Sequence, residues 1–183
     1  MKAYPEFELH KQQLLETGDY ESYLMCFGGH NRLRPFLDIL PRLNDRQFWE
    51  LCRFVWQTDD FWKLLTFDGH IDILNHRKKL YELLRSTRSC RKHFISDKER
   101  SQLECLPEII NVYRGFNLEG FDDGFSWTTD IGVAKWFSER YGGHTIISGK
   151  CAKDNVIGYL LDRKEFEIVV DPQWVSEKVI LKI

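Results

Sequence analysis

The sequence predicts an α+β fold, helices first and strands afterwards, and three observations carry that expectation. Residues 1–105 place apolar side chains at helical spacing between Gly and Pro breaks. From Pro107 onward the apolar residues gather into short β-type runs, and one helix-like segment interrupts those runs. The expected organisation is a helical accessory region over 1–105 and a β-rich core over 106–183, in a chain of 183 residues that fits one domain or two small ones.

In the helical region, Asn44 and Gln47 stand at capping-box spacing ahead of Phe48, Leu51, Cys52 and Val55, an i, i+3, i+4, i+7 stripe that gives a helix one apolar face. Ile73, Leu80, Leu83 and Leu84 mark a second amphipathic helix. Gly18, Gly28-Gly29, Pro41 and Gly69 punctuate the segments between. The β-type runs are Ile109–Tyr113, His144–Ser148, Val156–Leu161, Glu167–Val170 and Lys178–Ile183. The interrupting helix starts at Asp130 as N-cap, carries Val133, Ala134, Trp136 and Phe137, and ends at Gly142-Gly143.

Composition narrows the function classes. Hydrophobic residues make up 43% of the chain, which supplies a core and argues against disorder. The 26 Lys+Arg against 28 Asp+Glu argue against a protein that coats nucleic acid wholesale. The start, MKAYPEFELHKQQLLE, lacks the apolar stretch of a leader, and no later run reaches the roughly 18 apolar residues of a membrane span. A soluble cytoplasmic protein that does not engage membranes is expected. Cys26, Cys52, Cys90, Cys105 and Cys151 show no metal-ligand spacing and read as reduced structural thiols. The run at 85–100, with Arg85, Arg88, Arg91, Lys92, Lys98 and Arg100, reads as a solvated helix end and linker, with a partner-docking patch as the alternative.

Three short pieces carry chemistry. Val112-Tyr113-Arg114-Gly115-Phe116 closes a strand, Phe125-Ser126-Trp127-Thr128-Thr129 opens another, and Glu165-Phe166-Glu167-Ile168-Val169-Val170 starts a third. Arg114 offers a planar guanidinium suited to a pyrophosphate, and Gly115 has no side chain to block backbone approach to a flat ring. Ser126 and Thr128 alternate onto one face and offer hydroxyls to a carboxylate. Trp127 alternates away, and both core packing and a cofactor contact are open to it. Strand alternation would place Glu165 and Glu167 on one face as a pair.

In this order the pieces resemble the Arg-Ser-Glu class of mono-ADP-ribosyltransferases, which includes enzymatic components of clostridial binary toxins and phage-encoded transferases. The resemblance spans about residues 109–183. The aromatic-Arg motif of that class is similar to Tyr113-Arg114-Gly115, its Ser-Thr-Ser strand to Ser126-Trp127-Thr128, and its Ala-x-x-Phe helix to Ala134–Phe137. Its Pro-Lys-Gly turn is matched loosely by Ala152-Lys153-Asp154, and its Glu-x-Glu strand by Glu165-Phe166-Glu167. Trp127 and Thr128 depart from the small residue and the final serine of the second motif. The diphtheria-toxin and poly-ADP-ribose polymerase class, which opens with His, fits less well because Arg114 stands there.

The resemblance implies a two-sheet ADP-ribosyltransferase-like core with NAD as co-substrate in the cleft between the sheets. Arg114, Gly115, Ser126, Thr128 and Glu167 would contact NAD. Glu167 would stabilise the oxocarbenium-like transition state, Ser126 would hold it, and Glu165 would ready the acceptor. No metal is implied. The implied acceptor is a macromolecule: a protein side chain, arginine being the usual one, with nucleic acid as the alternative. Two rival readings stand beside this one. One is NAD hydrolysis with water as acceptor, and the other is an inactive protein of this fold that binds and inhibits a partner.

Overall fold

The computed structural model describes residues 5–58, 70–116, 124–140 and 143–182, apart from the side chains of residues 30 and 70–74. Gly69, Gly142, Ile183 and the side chain of Ile73, all used in the sequence reading, lie outside that set. The chain divides into two compact units, Met1–His93 and Phe94–Ile183. Among the described residues no helix is long and apolar enough to cross a membrane.

The first unit is helical: α1 (Pro5–Thr17), α2 (Tyr20–Met25), α3 (Leu33–Ile39), α4 (Asp45–Thr58) and α5 (His70–Leu84). Gly18 adopts φ +76° where α1 gives way to α2, a conformation that favours glycine. The capping box predicted for α4 forms in both directions. Gln47 N–H donates to Asn44 Oδ1 at 2.9 Å, and Asn44 N–H donates to Gln47 Oε1 at 3.1 Å. Its apolar stripe Phe48, Leu51, Cys52 and Val55 is buried, joined by Trp49. Leu80, Leu83 and Leu84 of α5 are buried as well.

The start of the basic run is largely exposed, as the solvated-linker reading expects, but it is held in place. Residues 88–91 form a strap back onto α4. Arg88 donates to the carbonyls of Leu43 (3.0 Å) and Leu40 (3.3 Å) and lies 4.8 Å from the Phe48 ring centre. The Ser89 backbone N–H donates to Asp45 Oδ2 at 3.1 Å, and the fully buried Trp49 donates its indole N–H to the Ser89 carbonyl at 2.8 Å. Arg91 lies 5.6 Å from the Trp49 ring centre. The strap gives the Leu43 carbonyl a donor and adds a second one at the Leu40 carbonyl, which already accepts from the Leu43 N–H.

The second unit holds α6 (Asp97–Glu104), α7 (Ile131–Glu139) and six described strands: β1 (Ile109–Phe116), β2 (Ser126–Thr128), β3 (Thr145–Ala152), β4 (Val156–Leu160), β5 (Glu167–Val170) and β6 (Val175–Lys182). The α+β class therefore holds. Helix α6, which the sequence reading grouped with the N-terminal region, lies in the sheet unit. Asp130 caps α7 through Oδ1, which accepts from the N–H of Gly132 (2.7 Å) and Val133 (3.4 Å).

The expectation of two sheets is corrected: the described strands form one antiparallel sheet, ordered β4-β5-β2-β1-β3-β6. The reason lies in the joint between β1 and β2. They pair only at Tyr113↔Thr128, whereas β1 and β3 pair along eight positions from Ile109↔Ala152 to Phe116↔Thr145. One pair suffices to join the halves β4-β5-β2 and β1-β3-β6, and the sheet parts on the Ser126 side of it. One face carries a single core of Ile110, Val112, Trp127, Ile147, Cys151, Tyr159, Ile168, Val170 and Val175, drawn from both halves. Trp127 is 2% exposed and its indole N–H donates to the Gly124 carbonyl at 2.8 Å, so of its two open roles the structure shows core packing.

Candidate functional site

Register decides which candidate residues share a face, because directly paired residues project to the same side of a sheet. Thr128 pairs with Glu167 on one flank and with Tyr113 on the other, and Ser126 pairs with Val169. Ser126, Thr128, Glu167 and Tyr113 therefore lie on one face. Thr128 is the direct cross-strand neighbour of Glu167, and Ser126 is its diagonal neighbour. Ser126 and Glu167 are half-buried, so both are reachable.

The two hydroxyls are not equivalent. Thr128 is 5% exposed; its Oγ1 donates to the Glu165 carbonyl at 2.6 Å and accepts from the Asp130 N–H at 3.1 Å. That hydroxyl is committed to the backbone at both of its functions. It ties the end of β2 to the turn that carries Glu165. Among the described residues the Ser126 hydroxyl makes no hydrogen bond, which leaves it the one able to turn toward Glu167 or a ligand.

Glu165 and Glu167 are not alternating neighbours on one strand. β5 begins at Glu167, and Phe166 adopts φ +48°, a left-handed conformation that L residues rarely take. Period-two alternation fails across such a residue, so the expected pairing by strand geometry is corrected to a turn residue followed by a strand residue. Burial pushes the Glu165 carboxyl above its ordinary value, against the pull of Arg163 and Arg140 in the other direction. Lys164, also at positive φ (+56°), completes a sharp turn in which its N–H donates to the Leu161 carbonyl at 3.1 Å.

Arg114 alternates onto the face of Val112, and its register partner Ile147 belongs to the core there, opposite the Ser126/Glu167 face. Its guanidinium reaches across the joint where β1 and β2 part: Nη1 donates to the Ser126 carbonyl at 2.6 Å. The Phe125 carbonyl accepts from the Val170 N–H on the β5 side, so the next carbonyl, that of Ser126, faces β1. Arg114 thus supplies the donor that the β1 backbone would supply if β1 and β2 stayed paired beyond Tyr113↔Thr128. A Cβ on Gly124 would sit 2.2 Å from Arg114 Nη2, so Gly124 makes the space for the guanidinium.

Gly115 has a different reason to be glycine from the one its motif suggests. A Cβ there would fall 1.9 Å from the Ala134 carbonyl oxygen and 2.7 Å from the Ser138 nitrogen, so its bare backbone lets α7 lie against β1. Sequence reasoning placed Tyr113 in the first motif without a role and left Asp130 outside the site. The Asp130 N-cap signal was legible, but its backbone link to Thr128 was not. A groove elsewhere on the unit, lined by Ile109, Lys150, Trp174 and Glu177 among others, contains none of the predicted site residues. Comparison of the chain with protein-family models, with curated proteins and with solved structures finds no match.

Proposed function

We propose that the Phe94–Ile183 unit is an NAD-dependent mono-ADP-ribosyltransferase core, with its site at the parting of β1 and β2. The observation that carries this reading is the register that sets Glu167 beside Thr128 and diagonal to Ser126, while Arg114 holds the Ser126 carbonyl from across the joint. A carboxylate and an uncommitted hydroxyl thereby share one face, and a guanidinium reaches the backbone beside them from the joint. The finer architecture implied by the resemblance, two sheets flanking a cleft, corresponds in this reading to the two halves that part beside Tyr113↔Thr128.

In the reaction, the bond between nicotinamide N1 and ribose C1′ breaks and nicotinamide leaves with the electron pair. Positive charge grows on the ribose. Glu167 stabilises that charge more in the transition state than in the ground state, which is the condition for catalysis. Ser126 orients Glu167, and Arg114 meets the pyrophosphate oxygens. The acceptor forms a new bond to C1′ and gives its proton to Glu165. A macromolecular acceptor, a protein side chain such as arginine, is the proposal, and water or nucleic acid are outcomes of the test.

The test measures nicotinamide release and transfer of label from tagged NAD in parallel. Glu167→Gln should lower both by about 10²–10³-fold, the usual loss for one preorganised electrostatic group. Glu165→Gln should lower transfer far more than nicotinamide release. Because the base must be deprotonated and burial raises its pKa, transfer in the wild type should fall on acidification at a pH above the ordinary carboxylate value of 4.5. Unchanged nicotinamide release in Glu167→Gln would sink the assignment. Label found only as free ADP-ribose would identify a hydrolase.

A further inference from the structure

The turn at residues 161–166 delivers Glu165, and it is fastened at both ends. At its far end Thr128 Oγ1 donates to the Glu165 carbonyl, and the Thr129 N–H donates to the Phe166 carbonyl at 3.2 Å. At its near end the fastening comes from 62 residues away in sequence: the Leu161 N–H donates to Glu99 Oε1 at 3.3 Å. Glu99 sits in the first turn of α6 and is 3% exposed. Its other oxygen, Oε2, accepts from the Ser96 N–H at 2.8 Å and the Ser96 hydroxyl at 2.7 Å, closing a capping box.

A capping box on a surface helix needs no burial, and its glutamate ordinarily stays at the rim. Here the segment before α6 is drawn onto β4, because a Cβ on Gly158 would lie 2.8 Å from the Phe94 ring and 3.1 Å from Ile95. Phe94 is fully buried. That packing carries the Glu99 carboxyl to the end of β4, where a buried acceptor must find donors or be costly. It finds the Leu161 amide.

We propose that Glu99 is a positioning residue for Glu165: it fixes the entry of the 161–166 turn, as Thr128 fixes its exit, and so governs delivery of the acceptor base. The catalytic part of this inference rests on the transferase reading; the fastening of the turn does not. Arg163 and Lys164 stand exposed within the turn and provide a readout of its order that is independent of activity.

Glu99→Gln keeps volume but has one acceptor oxygen; the two short Ser96 donors hold that oxygen at the cap, so the amide NH2 faces the single Leu161 N–H and the Leu161 end opens. Ser96→Ala is the control, since it removes a capping donor and leaves the Glu99–Leu161 bond. In the full-length protein, tryptic cleavage after Arg163 or Lys164 should quicken in Glu99→Gln and stay near wild type in Ser96→Ala. The ratio of transfer to nicotinamide release should fall by about 10-fold or more in Glu99→Gln, the low end for loss of an orienting partner, with nicotinamide release within about twofold of wild type. Glu99→Asp, which keeps both oxygens on a shorter stem, should restore the cap without the turn and serves if the glutamine variant does not fold. Wild-type cleavage at 163–164 in folded Glu99 variants would overturn the fastening. Faster cleavage with an unchanged ratio would overturn the positioning role. If the wild type releases no nicotinamide, the transferase reading fails while cleavage still decides the fastening.

Discussion

At the scale of single residues, Arg114 is the side chain on which a structural and a chemical role overlap. Its guanidinium replaces a missing ladder donor at the Ser126 carbonyl, and the proposed reaction asks the same group to meet a pyrophosphate. A planar fork with five N–H donors can serve both, whereas an ammonium is a single point charge. Arg114→Lys should therefore weaken NAD binding about 10-fold, the size of one charge-assisted hydrogen bond, measured by calorimetry. Gly124→Ala reaches the same group differently. Its new Cβ meets the mobile end of a side chain instead of backbone, so the fold should survive while Arg114 is displaced and NAD binding falls. Unaltered affinity in both variants would leave Arg114 with its structural role alone.

At the scale of elements, much was legible because the signals are local. The Asn44/Gln47 box, the stripe on α4, the Asp130 cap and the strand at Glu167–Val170 each depend on residues within a few positions of one another. What escaped is set by distant partners. That Arg88 straps onto α4, that α6 joins the sheet, and that Thr128 is committed to the Glu165 carbonyl are long-range facts that spacing does not encode. Alternation also misled at Phe166, where a left-handed residue interrupts the period that would have paired the two glutamates. Gly115 shows how one residue supports two readings. The sequence read it as room for a ligand, and the structure uses it as room for α7. A Cβ 1.9 Å from a carbonyl oxygen must move the helix backbone, so Gly115→Ala should destabilise the second unit by about 1–3 kcal/mol, the usual cost of overpacking, read as a lower urea midpoint. A midpoint equal to wild type would show that α7 lies further from β1.

At the scale of the whole chain, the division into units bears on where the proposed activity resides. Every described strand and every candidate site residue falls within Phe94–Ile183, and so does the buried core that unites the two halves of the sheet. A fragment starting at residue 94 should therefore fold and release nicotinamide from NAD in a manner that depends on Glu167. A fragment starting at residue 106, the boundary suggested by where helical spacing ends, should not. It would lack Phe94, fully buried over Gly158, and Ile95, 8% exposed beside it, as well as the Glu99 acceptor for the Leu161 amide. Losing one buried phenylalanine side chain typically costs about 3–5 kcal/mol, and stripping the whole of α6 also bares one face of β4. Against a total stability of about 5–15 kcal/mol for an ordinary domain, that loss is enough to unfold the fragment. Circular dichroism and urea titration of the two fragments decide the matter. A cooperative transition in both would mean that α6 is an ornament on the sheet, and absence of one in the longer fragment would mean that Met1–His93 supplies stability the second unit does not hold by itself.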